Sequence, residues 1–340
     1  MDRVAELKDT DIPTILYPTI GFFLPLLEEK KPLIQSITRK TFKYGATDRH
    51  KVKPLCKISL KVQGADGHSE LPILKLDVYY PPESTVAPNG KYPVFFWVYG
   101  GGYRSGARTL PEPADLAYAN VGAYYAHKGF ITVIPDYRLL PEAKYPDPDI
   151  DVRDAIVWAF QNPHSLALGN NIAEVDTDSY FIMGHSAGAV TVSTVFLLSL
   201  LPVNIQSRFK GVICTSGAYI FKIEEGDAAG LTTFDPETAA LFFGSLEKAQ
   251  ENTPLSLAKA FPKDKVVSLP PFLLVVSEKD PTSFLRASEL MQGALESLTG
   301  KKVPNVVAKG HNHISINFAL TTRQGEEWAE DVIQWMQGLL

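Results

Sequence analysis

Short apolar runs alternate with amphipathic stretches along most of the chain. Two early runs, 55–62 and 73–80, alternate apolar and polar residues as half-buried strands do. The later runs are almost wholly apolar, which is typical of strands buried on both faces of a parallel sheet. These later strands are predicted at 92–99, 130–136, 180–184, 209–215, 272–277 and 303–308.

The stretches between these runs carry apolar residues at helical spacing. Pro202 ends the third of them and Gly338 follows the last, as residues that stop a helix do. The alternation predicts an α/β fold: a mostly parallel sheet of about eight strands, flanked by helices and led by an antiparallel hairpin. The helices are predicted at 114–127, 151–161, 187–201, 283–298 and 326–337.

Two segments, 1–50 and 226–262, fall outside this alternation of strands and helices. An insert after a strand of a parallel sheet lies over the carboxyl ends of the strands, where ligands bind. We therefore expect a single domain over 1–340, with 1–50 and a helical segment at 226–262 as elements of one cap.

The N-terminal segment contains an uncharged stretch from Ile12 to Leu27. It is shorter than the roughly 20 residues that a membrane span needs, and prolines interrupt it. Acidic residues precede it where a signal peptide would be basic. We expect neither a stable membrane span nor a signal peptide. Packing over the domain is favoured over a mobile apolar flap, and a flap over an interfacial anchor.

Composition narrows the function classes. The chain has 340 residues, 45% of them hydrophobic, and 33 basic against 38 acidic residues give a net charge of −5. Disorder is excluded, and nucleic-acid binding is disfavoured because phosphates select basic surfaces. Two cysteines, Cys56 and Cys214, indicate reduced thiols in a cytoplasmic protein, and no Cys/His cluster suggests zinc. We expect no metal and no cofactor.

The strongest local signal is Gly184-His185-Ser186-Ala187-Gly188. It follows an apolar strand and opens a helix, which is the context of a nucleophile elbow. Small flanking residues are needed because a Cβ at either glycine would meet neighbouring backbone. The turn lifts the serine hydroxyl beside a helix N-terminus that favours developing negative charge. Ser186 is therefore the predicted nucleophile.

A second signal, Tyr99-Gly100-Gly101-Gly102-Tyr103, follows the strand at 92–99. Consecutive glycines let the backbone approach a ligand with its N–H groups free. Acyl-transfer enzymes aim such donors at the oxygen that becomes an anion. Gly101 and Gly102 are the predicted donors, with the Ala187 amide as a third. The spacing does not match a dinucleotide-binding loop.

A nucleophilic serine needs a base, and the base needs an orienting carboxylate. In the chain order serine, acid, histidine, Asp280 follows a buried strand in the position of the acid. Glu278 competes, but Asp280 lies beyond the strand end, where Pro281 fixes the turn. Only His311 and His313 follow the acid. We favour His313 as the base and keep His311 as the alternative.

With these motifs the chain resembles the α/β-hydrolases, in particular their hormone-sensitive-lipase-like carboxylesterase branch. The resemblance implies a cofactor-free carboxylesterase for short- to medium-chain acyl esters, with a helical cap from the N-terminus. It also implies a Gly-x-x-His base, which favours His313. Three positions depart from the branch: Tyr99 stands where it usually has His, His185 where it often has Asp, and Ala189 where it has Gly. The resemblance rests on 99–102, on Asp136-Tyr137-Arg138-Leu139-Leu140-Pro141-Glu142, on 184–188, on 280–281 and on 310–313.

These residues together predict a serine carboxylesterase that works through an acyl-serine intermediate. Tyr99, Tyr103 and His185 are the predicted substrate-binding residues, and a small-molecule ester is the predicted partner. An arylformamidase or other amidase, or a feruloyl-type esterase, with the same triad remains an alternative. A non-catalytic receptor of this fold is less favoured because all three triad roles are filled. A homodimer is left open.

Overall fold

The computed structural model describes residues 1–45, 74–87, 90–167 and 174–340. The described residues form one eight-stranded sheet with strand order β1-β2-β4-β3-β5-β6-β7-β8. This confirms the predicted fold class. The predicted strand at 55–62 and Cys56 lie outside the described residues. The strands are β1 Arg39–Lys43, β2 Lys75–Tyr79, β3 Tyr92–Val98, β4 Ile131–Pro135, β5 Val175–His185, β6 Phe209–Thr215, β7 Phe272–Lys279 and β8 Asn305–Asn312.

Strand direction changes only at one side of the sheet. β2 pairs antiparallel with β1 and with β4, whereas all pairs from β4 through β8 are parallel. Every residue of the central strand β3 is buried, as its continuous apolar sequence predicts. The carboxyl ends of the parallel strands consequently meet at one edge of the sheet.

The first strand of the sheet corrects the prediction for residues 1–50, which were assigned to a cap as a whole. Arg39–Lys43 pairs with β2 at the edge of the sheet instead. Four of its five residues are exposed, so it carries no alternating apolar set that would have marked it as a strand. The Thr41 hydroxyl donates to Asp77 of β2 at 2.5 Å and helps to hold this polar edge.

Helices flank the sheet at the predicted places. The largest difference is the helix predicted at 114–127, which begins at Ala119. The helices are α1 Asp2–Ala5, α2 Ile12–Gln35, α3 Ala119–His127, α4 Asp147–Gln161, α5 Pro163–Leu166, α6 Ala187–Leu197, α7 Val203–Gln206, α8 Pro236–Phe243, α9 Leu246–Glu251, α10 Pro254–Ala260, α11 Thr282–Thr299, α12 Ser315–Phe318 and α13 Glu327–Gln337.

The apolar N-terminal stretch forms one continuous helix, α2, of 24 residues. The prolines expected to interrupt it do not, because Pro18, Pro25 and Pro32 recur every seven residues on its exposed face. The Asp11 carboxylate caps the helix by accepting from the Thr14 amide at 3.3 Å. The opposite face is buried and packs on α1, α3 and α12. None of the described helices combines the length and hydropathy needed to cross a bilayer.

The segment at 226–262 is helical over α8–α10, as predicted. Each of these helices begins with a side-chain cap, from Asp235, Ser245 and Thr253 in turn. Helix α10 packs on α6 and α11. Since α2 packs elsewhere, on α3 and α12, the joint cap formed with the N-terminal segment stays a prediction.

The packing of α2 can be tested by truncating its buried face. Phe23→Ala should lower the free energy of unfolding by about 3 kcal/mol, since the ring is 2% exposed in the core and its loss leaves a cavity. Tyr17→Ala on the same helix should change it by about 0.5 kcal/mol or less, because Tyr17 is 79% exposed. Urea titration followed by circular dichroism measures both; equal effects would contradict the packing.

Candidate active site

Loops at the carboxyl ends of four parallel strands bring three predicted side chains and one glycine turn together. Ser186 follows β5, Asp280 follows β7, His313 follows β8 and the glycines 100–102 follow β3. His313 Nε2 lies 2.9 Å from Ser186 Oγ, and His313 Nδ1 lies 2.7 Å from Asp280 Oδ1. The three side chains therefore form one continuous hydrogen-bonded chain.

Ser186 occupies a sharp strand-to-helix turn. Its φ of 55° lies in the left-handed region, where a non-glycine residue is strained, and its amide donates to the Thr215 carbonyl at 2.9 Å. A Cβ on Gly184 would stand 2.2 Å from the Gly188 carbonyl oxygen, and one on Gly188 would stand 2.2 Å from the Val98 oxygen. The glycines of the motif are thus required by close backbone approach on both sides of the serine.

The carboxylate of Asp280 is buried and uses both oxygens. Oδ1 faces His313, while Oδ2 accepts from the Ser216 hydroxyl at 2.6 Å and from the Ser277 amide at 2.8 Å. These donors fix the carboxylate with one oxygen directed at the imidazole. The competing acid, Glu278, is exposed and accepts from the Gly310 amide instead.

The two late histidines have different surroundings. His311 directs Nδ1 at the Ser315 hydroxyl, 3.1 Å away, and Nε2 at the Gly325 carbonyl, 2.7 Å away. Both its ring nitrogens are thereby engaged away from Ser186, and burial lowers its pKa. His313 is the histidine that the fold brings to the serine, and the ring of Phe284 packs edge-on against it at 4.9 Å.

The loop that carries His313 is tied down by neighbouring side chains. Asn312 accepts from the amides of Ile314 and Ser315 and donates to the Thr19 hydroxyl of α2 at 2.8 Å. Sequence reasoning missed both Asn312 and Ser216. The position of Asn312 between the two late histidines could have identified it as a residue that supports the site. Nothing in the sequence around Ser216 indicates that it binds the Asp280 carboxylate.

His185 supports this loop rather than facing the open site. Its side chain is buried and its Nε2 lies 2.9 Å from the His313 carbonyl oxygen, to which it donates as the neutral Nε2–H tautomer. Burial, and then the nearby His313, hold the pKa of His185 well below its usual range. The interaction joins the residue before the nucleophile to the backbone of the predicted base.

The glycine turn lies against Ser186. A Cβ on Gly100 would stand 2.8 Å from the Cβ of Ser186, and Gly101 and Gly102 have φ values of 122° and 61°. Within the part of the chain that the structure describes, the amides of Gly101, Gly102 and Ala187 donate to no protein acceptor. Unpaired N–H groups beside a serine hydroxyl are the arrangement that an oxyanion hole requires.

The two tyrosines predicted to bind substrate point into the protein. Tyr103 is fully buried, and its hydroxyl donates to the Ala187 carbonyl at 3.1 Å. The Tyr99 hydroxyl faces Asp136 at 3.4 Å and accepts from the Tyr137 amide. The prediction failed to place these groups because a sequence gives proximity to the turn but not the direction of a side chain.

The stretch 136–142 braces the glycine turn from outside. The Leu140 amide donates to the Tyr103 carbonyl at 2.8 Å. Two residues earlier, Arg138 forms a two-pronged ion pair with buried Asp151 at 2.7 and 3.0 Å, the geometry in which arginine binds carboxylate most strongly. This pair fixes the stretch and, through it, the turn.

Comparison with known proteins places this chain in a known family and fold. The BD-FAE family model matches residues 76–295, more than half of the chain. Carboxylesterase NlhH of Mycobacterium tuberculosis is 34% identical over 137 residues, which are 40% of this chain and 36% of the relative. Versiconal hemiacetal acetate esterase of Dothistroma septosporum is 24% identical over 206 residues, covering 56% of this chain and 58% of the relative.

Further similarity extends to larger proteins and to solved structures. Non-reducing polyketide synthase Preu6 of Preussia isomera is 36% identical over 33% of this chain, but the match spans only 5% of the synthase. The Pyrobaculum calidifontis esterase superposes with a TM-score of 0.63 at 17% identity, covering 99% of this chain and 96% of that one. EstE1, from a metagenomic library, gives a TM-score of 0.62 at 17% identity, covering 95% and 97%. These likenesses confirm the predicted α/β-hydrolase fold.

The close approach around Ser186 can be tested at its second glycine. Gly188→Ala should abolish the site, because the added Cβ would overlap the carbonyl oxygens of Val98 and Tyr99 at 2.2 and 2.5 Å. The control is Gly293→Ala inside α11, where a Cβ meets nothing within 4 Å and helix propensity gains up to about 1 kcal/mol. Thermal melts together with labelling of the serine by a fluorophosphonate measure both. Normal labelling of Gly188→Ala would contradict the geometry.

Proposed function

The chain belongs to the BD-FAE family, and from this premise we propose that it is a serine carboxylesterase for short- to medium-chain acyl esters. One observation carries the proposal: Ser186, His313 and Asp280 are linked by hydrogen bonds of 2.9 and 2.7 Å beside unpaired backbone amides. Nucleophile, base, orienting acid and oxyanion donors are the four parts that acyl transfer through a serine needs.

In the proposed reaction, Ser186 Oγ attacks the ester carbonyl while His313 Nε2 takes its proton. Asp280 holds the imidazole with Nδ1–H toward its carboxylate and stabilises the imidazolium that forms. The carbonyl oxygen becomes an anion, which the amides of Gly101, Gly102 and Ala187 stabilise, each donor contributing about 3 kcal/mol in comparable sites. His313 then returns the proton to the departing alcohol, leaving an acyl-serine. Water attacks this ester with His313 again as base, and the carboxylic acid leaves.

The size of the substrate is proposed from the name of one relative. Versiconal hemiacetal acetate esterase is named for the hydrolysis of an acetate, which is a short acyl ester.

The proposal predicts hydrolysis of p-nitrophenyl acetate and butyrate, with rates that fall as the acyl chain lengthens. Ser186→Ala should lower kcat by about 10⁴–10⁶-fold, since it removes the nucleophile. The matched control is Ser193→Ala, a buried serine about two turns along α6 from Ser186 that donates to the Ala189 carbonyl. Steady-state kinetics and mass spectrometry of the diethylphosphoryl adduct check both. Substantial activity in Ser186→Ala, or an adduct elsewhere, would contradict the mechanism.

The assignment of His313 as the base predicts that substitutions of the two late histidines have different effects. His313→Ala should reduce kcat by about 10³-fold or more, because His313 is the side chain hydrogen-bonded to the Ser186 hydroxyl among the described residues. His311→Ala should keep most of the activity and instead lower stability, since it leaves the Gly325 carbonyl without its donor and removes one contact of the Ser315 hydroxyl. Measuring kcat and the melting temperature side by side separates the two variants. An inactive, stable His311→Ala protein would reverse the assignment.

A further inference from the structure

The two segments that would form the oxyanion hole come from different strands, and one side chain bridges them. Gly101 and Gly102 belong to the turn after β3, whereas Ala187 begins α6. Tyr103, directly after the glycines, crosses from the first segment to the second. Its hydroxyl donates to the Ala187 carbonyl at 3.1 Å and lies 3.0 Å from the Thr191 hydroxyl.

The ring of Tyr103 is held rigidly in this position. Its φ of 61° is left-handed, it is 0% exposed, and it stacks on Phe242 of α8 with centroids 3.9 Å apart and planes 13° from parallel. Stacking and burial alone would be served equally well by phenylalanine. The hydroxyl therefore needs its own explanation, and its two partners both lie in the first turns of the helix that Ser186 caps.

The single proton on each hydroxyl gives the arrangement a direction. The Tyr103 hydroxyl donates its proton to the Ala187 carbonyl, so its oxygen accepts from the Thr191 hydroxyl. Donation therefore runs from Thr191 through Tyr103 to Ala187.

We propose that Tyr103 and Thr191 are positioning residues that hold the glycine turn in register with the start of α6. The Tyr103 hydroxyl links the two segments, and the Thr191 hydroxyl orients it. The inference rests on the proposed function, because the register matters only if the two segments stabilise one oxyanion. It replaces the predicted role of Tyr103 as a substrate contact.

The arrangement acts on the transition state and not on substrate binding. Three amides must meet one oxygen, and the donors of an oxyanion hole contribute only at the correct geometry. Tyr103→Phe keeps the stacking and removes the hydroxyl alone. We expect kcat to fall about 10–100-fold with KM changed by less than about 2-fold. A merely structural residue would lower the melting temperature without this separation of kcat from KM.

A double-mutant cycle tests whether Tyr103 and Thr191 act together. Thr191→Val should match Tyr103→Phe, and the double variant should be no more than about 2-fold worse than either, because both break one chain. Thr191→Ser should restore activity by restoring the hydroxyl. The matched control is Thr194→Val, on the same helix, whose buried hydroxyl has no partner among the described residues; it should keep the kcat of the parent protein.

Phosphorylation of Ser186 by diethyl p-nitrophenyl phosphate, counted by mass spectrometry, gives the fraction of intact sites in every variant.

The outcomes separate this inference from the proposed function. If Ser186→Ala stays active, the proposed function fails, whatever the other variants do. If Ser186→Ala is inactive but Tyr103→Phe has the kcat of the parent, the positioning role fails alone. Additive losses in the cycle would likewise overturn the network. A folded, fully phosphorylated Tyr103→Phe protein with low kcat and normal KM would establish it.

Discussion

The candidate site depends on the close approach of α6 to the end of β3. Gly188 brings its Cα against the carbonyls of Val98 and Tyr99, leaving no room for a side chain. This contact puts the first turn of a helix beside a run of glycines that leaves β3. Free N–H groups from two parts of the chain thereby come to lie next to Ser186, which no single loop could achieve.

The predicted base, His313, follows the edge strand β8, three strands away from the strand that precedes Ser186. His313 lies on a loop after β8 and is held through its backbone by His185 and through its neighbour Asn312 by α2. Asp280 is held in turn by Ser216, which follows β6. Each side chain of the hydrogen-bonded chain is therefore fixed by an element other than its own. A rigid scaffold of this kind limits how far the groups must reorganise during a reaction.

The sequence predicted which residues form the candidate site better than it predicted the directions of the side chains. Ser186, Asp280 and His313 follow strands that the sequence predicts from apolar runs, and parallel strands present their carboxyl ends at one edge of the sheet. Side-chain direction depends on packing across the sheet, so Tyr103 and His185 were assigned to the substrate although both are buried. The polar strand Arg39–Lys43 was missed because its place in the sheet is set by backbone pairing and not by an apolar pattern.

The seven-residue spacing of prolines along α2 has a consequence for how this helix meets its surroundings. Pro18, Pro25 and Pro32 lack an amide hydrogen, so the carbonyls of Thr14, Gly21 and Glu28 cannot receive the usual bond from four residues ahead. Thr14, Gly21 and Glu28 are exposed, like the three prolines, so their carbonyls can be hydrated by water instead. Covering this face with lipid or another helix would remove that water and cost free energy at each carbonyl. The sequence therefore favours a solvent-facing outer surface on the helix that anchors the loop of His313.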